Sequence, residues 1–489
     1  VVSMTACGNS DAGGSKDSAK NNGNGDEPYT VTMVLNGSTQ PDEERIEQKI
    51  NEILEPELNA NLDIVVLPWA SASQQLQLML SGDEKIDVFY TQATNAVQYM
   101  NAGQIVDMSE LIDKYGTNIK QIYGEDIAKI NQIEGFVYGV PNQIERGSIP
   151  AIFMRKDLVE KYNFDWENVK TVEDMYPFWD AIRDNEPGLY PVGDLSIQAF
   201  EDDYVAMRMI QDYYTVAGSG ASSFYIKKGD DSYTVDWYPD VVKEYRREFG
   251  ELYEKGYIRD DIITLQDDSA DITAGKYASR LGIIKPGGEA EQKQLAGGYD
   301  YVQIALTEPF VNSLSARAAM NAVSSSSKNP EAAIRMIDVM NTDKEIFNML
   351  NFGIEGTNYT MEDGFVKEIP DSGYFFNSGW ALGNQFNAYL VEGQQEGVWE
   401  ETMEINNNAE VSPISGFSFN EDPVATAMAQ MSSVTSEYKF IGLYDDFDTR
   451  FEEFRTKMEQ AGVEEYKEEV QNQLNEWLEA NGKNLNFLL

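Results

Sequence analysis

From Tyr29 onward the apolar positions alternate between a two-residue period and a three-to-four-residue period. Tyr29–Leu35 reads as a strand, and Pro41 opens a helix whose apolar face is Ile46, Ile50, Ile53/Leu54 and Leu58. Leu62–Leu67 is a nearly continuous apolar run, as a strand covered on both faces requires. A second helix, about Ser71–Leu80, stops at Gly82, and Asp87–Tyr90 is the next strand. Strand, helix, strand, helix, strand predicts an α/β unit with a parallel, doubly wound sheet. Ligands bind beyond the carboxyl ends of such strands, here Pro68-Trp69 and Tyr90-Thr91-Gln92.

Further on, Phe136–Val140 and Ala151–Met154 read as strands and Lys156–Tyr162 as a helix. Thr171-Val172-Glu173-Asp174 has the form of a capping box for a helix through Ile182, ended by Pro187-Gly188. Val241–Gly256 is an acidic amphipathic helix, and Gly282–Lys285 a strand leading into Pro286-Gly287-Gly288. A second α/β unit therefore begins near residue 142. Asn329-Pro330 caps a helix carrying Ile334 and Ile337, and Thr342 is placed to cap the one after it. Gly353–Asp371 reads as irregular. Three helical stretches close the chain, near Thr426–Glu437, Asp448–Ala461 and Val463–Ala480. No repeat appears at solenoid periods.

The 489 residues suit two or three units of roughly 150 residues each. A hydrophobic share of 42% with 11% aromatics is enough for true cores. No window approaches the roughly 18 apolar residues of a membrane span. The net charge of −46 opposes contact with nucleic acid or anionic lipid, and it also keeps a protein soluble. The chain has no histidine, which removes imidazole acid–base chemistry, Ser-His-Asp and Cys-His nucleophiles, and His-containing zinc sites. Carboxylate-only chemistry of the glycosidase kind stays open. The acidic clusters Asp267-Asp268-Asp271 and Asp445-Asp446-Asp448 do not fit the EF-hand loop, and solvated charge or helix N-terminal charge accounts for them. No metal or cofactor is expected.

The single cysteine, Cys7, follows Met4-Thr5-Ala6 and precedes a polar tract from Gly8 to Glu27. This arrangement resembles a bacterial lipobox. The resemblance implies a signal-peptide remnant at 1–6 and a lipidated Cys7. Residues 7–27 would then form a flexible tether. The alternative is a free cysteine in an unstructured N-terminus.

The chain as a whole resembles the extracellular solute-binding lipoproteins of Gram-positive ABC importers, of the sugar-binding type with a C-terminal domain of its own. The matching stretches are Leu80-Ser81-Gly82-Asp83 with Asp87-Val88-Phe89, Ala102–Met108, and Gly139–Asn142 followed by Phe153–Leu158. Gly353-Ile354-Glu355-Gly356 with Tyr359, and Gly416–Asn420 followed by Pro423, continue the match. The resemblance implies a two-lobe, periplasmic-binding-protein-like (type II) fold with hinge segments and extra C-terminal helices. Lobe 1 would comprise 28–141 with about 312–360. Lobe 2 would comprise 142–311 with about 361–489. It also implies ligand capture in an interlobe cleft and docking on a permease.

A sugar site needs aromatic platforms ringed by planar polar groups. Trp69 is the leading platform, against the alternative of a partly buried core residue, and Tyr90, Thr91 and Gln92 follow the next strand. Glu145 and Arg146 follow the proposed lobe crossing, where the alternative is a surface ion pair. Tyr190 and Asp194 are candidates from the second lobe. Phe376, Asn377 and Trp380 lie in a Gly-rich aromatic stretch, whereas Trp477 has the spacing of a helix core.

The resemblance implies, and these residues fit, a monomeric, non-enzymatic receptor, expected to be lipid-anchored on the outer face of the cell membrane and to pass an oligosaccharide to an ABC permease. A peptide or other small polar solute fits the same features. So do a carboxylate-dependent glycoside hydrolase and a structural adhesin at the cell surface.

Overall fold

The computed structural model describes residues 27–481, apart from 70, 83, 125–130, 195 and 312–316. Cys7, the signal remnant at 1–6 and the tether through residue 26 lie outside the described residues.

The first lobe is built on a five-stranded sheet in the order Ala60–Leu67, Tyr29–Asn36, Val88–Thr91, Met320–Val323, Val140–Pro141. The first three strands run parallel, and Met320–Val323 is antiparallel to both its neighbours. Val31, Met33 and Leu35 face one apolar cluster and Val34 the other, so the central strand is buried on both faces. Helix Glu43–Leu58 covers one face with Ile46, Ile50 and Leu54. Helix Ala72–Ser81 covers the other with Ala72, Leu76 and Leu80.

The second lobe has a four-stranded mixed sheet in the order Tyr301–Ala305, Pro150–Arg155, Tyr277–Ile283, Tyr190–Gly193. Its core centres on Trp179, which is fully buried and whose indole N–H donates to Ser279 Oγ at 2.8 Å.

A third assembly joins two distant parts of the chain. A three-stranded antiparallel sheet (Tyr213–Ala217, Phe224–Lys227, Asp236–Trp237) is packed by the helices Ala425–Glu437, Phe447–Gln460 and Val463–Asn481. Trp477 lies in its core, edge-on to Phe417 at 6.1 Å. The assembly is fastened to the second lobe where Gly442 N–H donates to Glu201 Oε1 at 2.9 Å, a carboxylate that Arg246 also pairs at 3.0 Å. Beside this pair, Gly250 and Gly442 bring two backbones together so closely that a Cβ on Gly250 would lie 2.1 Å from the Gly442 carbonyl oxygen.

Several elements differ from the sequence expectations. The Thr171–Asp174 box forms, with Lys170 N–H and Thr171 N–H both donating to Asp174 Oδ2 at 2.9 Å. It opens a 3-10 turn at Glu173–Met175, and the helix follows at Tyr176–Asn185. Asp343, not Thr342, caps helix Lys344–Phe352, because the Thr342 hydroxyl is turned back to donate to Asp338 O. The stretch expected to be irregular contains a hairpin, Tyr359–Glu362 with Phe365–Glu368. Its turn residues Asp363 and Gly364 have φ 53° and 91°, the geometry that an Asp-Gly pair accepts in a tight hairpin. The boundary expected near 360 also moves. Tyr374, Phe376, Ala381 and Leu382 join the cluster under the first lobe, and Tyr374 OH donates to Leu350 O at 2.7 Å.

Candidate functional site

The carboxyl ends of the first-lobe strands carry an aromatic cluster. Trp69 follows Ala60–Leu67 directly and is 46% exposed. Its ring stacks on Trp380 at 5.4 Å and 18°. Tyr90 stands edge-on to both, at 6.1 Å from Trp69 and 5.6 Å from Trp380. Tyr90 is buried, and burial pushes its hydroxyl up to about 12.

Trp380 reaches this place because its segment is pinned to the lobe. Phe376 lies over Gly37, where a Cβ would come within 2.5 Å of the ring. Asn377 has φ 45° and its N–H donates to Asn351 O at 2.8 Å. Gly379 packs on Phe347, leaving 3.1 Å for a Cβ. The turn at 377–380 thereby presents the Trp380 indole at the strand ends.

Trp380 also lines a cavity of about 380 Å³. Asn351, Asn377 and Trp380 border it from the first lobe, and Lys285, Pro286 and Gly287 from the second. Glu145, Gln385 and Trp399 come from the segments between. Gln385 Nε2 donates to Glu145 Oε1 at 3.3 Å. The Trp399 indole N–H donates to Ala388 O at 2.9 Å, which fixes its ring beside Phe386 at 6.1 Å. Indole faces with carboxamides and a carboxylate at their edges can hold a polyhydroxylated ring, whose C–H faces need apolar cover and whose hydroxyls need donors and acceptors.

The candidates from sequence divide accordingly. The structure gathers Trp69, Tyr90 and Trp380 into one cluster, and Glu145, Asn377 and Trp380 around the cavity. Gln92 is exposed beside the cluster as the residue before helix Ala93–Asn101, and Thr91 is buried with its hydroxyl on Gln92 O. Arg146 is placed elsewhere: it is buried at the lobe crossing and bonds to Gln143 Oε1 at 3.0 Å. Burial lowers its pKa. Tyr190 pairs in register with Tyr277, at the opposite end of a strand whose far end leads to Lys285. Asp194 is buried in the second lobe, its carbonyl accepting from Arg280. Phe376 is spent on anchoring its segment. Sequence reasoning missed Gln385, Trp399 and Lys285–Gly287. Pro286-Gly287-Gly288 after a strand was the available signal.

A second cavity, about 400 Å³, lies between the first lobe and the C-terminal assembly. Ala93 and Val97 border it on one side, Val216, Phe419, Met428 and Met431 on the other. Asp271 is paired with Arg259 and Lys276, Asp448 with Arg247 and Lys243, and Asp446 with Arg450. Among the described residues no group of three His, Cys, Asp or Glu side chains is arranged to hold a metal ion, and no helix is long and apolar enough to cross a membrane.

Comparison with known proteins bears on both lobes. Residues 57–350 match the family described as bacterial extracellular solute-binding protein, and residues 413–479 match a domain of unknown function (DUF3502). A carbohydrate ABC transporter substrate-binding protein of Streptococcus pneumoniae serotype 4 is 25% identical over 490 residues, spanning 98% of this chain and 96% of that protein. The crystal structure of an N-glycan transport solute binding protein from Streptococcus pneumoniae superposes with a TM-score of 0.78 at 22% identity, covering 92% of this chain and 99% of that one. The structure of that protein in complex with Man1GlcNAc gives a TM-score of 0.69 over the same shares, at 22% identity. The fold is thus that of the two-lobe solute-binding proteins.

Proposed function

The chain belongs to the bacterial extracellular solute-binding protein family, and we propose that within it the chain is an oligosaccharide receptor. It captures its ligand between the lobes, closes by hinge motion and presents it to an ABC transporter permease. It acts as a monomer and without covalent chemistry, held at the cell surface by a lipid on Cys7. The observation that carries this reading is the cavity bounded by both lobes, with Trp380 and Trp399 among Asn351, Asn377 and Gln385. The relatives support it: one is named for carbohydrate transport, and another is solved with Man1GlcNAc.

Thermal melting with Man1GlcNAc, Man5GlcNAc and kestose tests the reading, since ligand present at 1,000 times Kd stabilises by about 4 kcal/mol. A rise in Tm with the glycan recovered intact is the expected result. No shift with any of the three, or conversion of a glycan to products, overturns it. Cys7→Ser in a full-length precursor is expected to release the protein to the medium, and unchanged surface retention would remove the anchor.

A further inference from the structure

Helix Val398–Asn408 has one end at the cavity and the other at the hinge. Val398 and Trp399 line the cavity at its start. Val398 faces Gly287 of the second lobe, where a Cβ would lie 3.8 Å from Val398 Cγ2. Eight residues on, a rise of about 12 Å, comes Asn406. Asn406 is fully buried, and its side-chain oxygen accepts from Arg146 N–H at 2.8 Å and Gly147 N–H at 2.9 Å. Its amide donates to Ile144 O at 2.9 Å. One carboxamide therefore satisfies three backbone groups of the first lobe crossing, a stretch with no strand partner for those groups.

The contact is close as well as specific. A Cβ on Gly147 would lie 2.8 Å from Ile405 Cγ2, so the crossing lies directly against the helix. Immediately beyond the helix, Glu410–Val411 pairs in parallel with Phe310–Val311, the second crossing, where the chain returns from the second lobe to the first. Phe310 in turn exchanges hydrogen bonds with Ser148 of the first, at 2.8 and 3.0 Å. Both crossings are thus gripped by one rigid segment whose head forms part of the cavity wall.

We propose that Asn406 is a positioning residue for lobe closure, coupling occupation of the cavity at Val398 and Trp399 to the backbone at 144–147. This inference rests on the receptor reading above. A ligand that seats against Trp399 fixes the helix, and Asn406 fixes the hinge with it. Without the carboxamide the first crossing loses its tie to the cavity wall, and the second keeps its backbone pairing with Glu410–Val411.

The test compares Asn406→Ala with Asn358→Ala by small-angle scattering and stopped-flow release, with and without whichever of Man1GlcNAc, Man5GlcNAc and kestose the wild type binds. Asn358 is an equally buried carboxamide that accepts from Ile354 N–H at 2.9 Å, far from the crossings in sequence and absent from the cavity wall. Asn406→Ala is expected to lose the ligand-induced compaction and to release ligand about ten times faster. Asn358→Ala is expected to lower Tm while compacting as the wild type does. Asn406→Asp keeps the acceptor for both N–H groups, and an intermediate release rate is expected. It serves as the readout if Asn406→Ala does not fold. Compaction of Asn406→Ala or, failing that, wild-type release by Asn406→Asp overturns the inference alone. Equal loss of compaction in Asn358→Ala does so too, by reducing the effect to general destabilisation. Absence of any compaction in the wild type overturns the receptor reading together with it.

Discussion

The two cavities are nearly equal in volume, about 380 and 400 Å³, and differ in which parts of the chain bound them and in how apolar they are. The first lies across both lobes and is edged with carboxamides and indoles. The second lies between the first lobe and the C-terminal assembly, and its wall sets Val97, Val216, Met428 and Met431 beside Gln98, Asn101 and Arg317. Volume therefore does not select the site. A receptor that works by closure needs its ligand to touch parts that move against each other, and it needs polar groups that replace the water a sugar gives up. The first cavity meets both demands. The second, roofed by the C-terminal assembly, is the more apolar of the two, with Val216, Met428 and Met431 among its lining residues.

The sharpest way to separate the two is to detach that roof. Gly250→Ala places a methyl 2.1 Å from a carbonyl oxygen and is expected to cost about 3 kcal/mol, read as a drop in Tm by calorimetry. Glycan affinity should stay within about fivefold, since the first cavity does not include the assembly. A complete loss of binding would break the distinction.

Next in size is the loss of the platform. Trp380→Ala should weaken glycan binding about 30-fold, corresponding to about 2 kcal/mol of buried aromatic contact. Met431→Ala, in the other cavity, should leave affinity unchanged within about twofold. Calorimetric titration of both variants checks this, and equal losses would show that the cavities act together.

The smallest effect is on stability against pH. Burial, with Glu47 and Asp63 adding to it, raises Glu43 in the first lobe from 4.5 to about 7. Burial and Asp422 raise Glu421 at the second cavity. A carboxyl raised by folding holds its proton more tightly in the folded state. Its contribution is present below 4.5 and is lost as pH rises through the folded value. Tm should therefore rise modestly from pH 8 to pH 5, and Glu43→Gln should flatten the upper part of that rise. A Tm that falls over this range would reverse the sign.

What could be read in the sequence was whatever repeats. The strands at Tyr29–Asn36, Ala60–Leu67 and Val88–Thr91 followed from apolar period and runs, and with them the place of Trp69 and Tyr90. The antiparallel sheet at 213–237 gave no such signal. Its strands are short and mix Tyr, Thr, Lys and Asp, and the helices that bury them come some 200 residues later. The cavity wall from Gln385 to Trp399 is mostly irregular, so no period marked it. Arg146 shows the opposite failure. Position after a lobe crossing suggested a cleft residue, but the backbone there needs burial and bracing more than it needs a charged side chain facing the ligand.

The stacked pair Trp69–Trp380 has an optical consequence. Two indoles 5.4 Å apart and 18° from parallel share their electronic excitation, so they give the protein a near-ultraviolet circular dichroism signal that belongs to the pair rather than to either ring. A displacement of either ring would change that signal. Near-ultraviolet circular dichroism is thus a label-free way to ask whether a glycan disturbs the wall that carries Trp380.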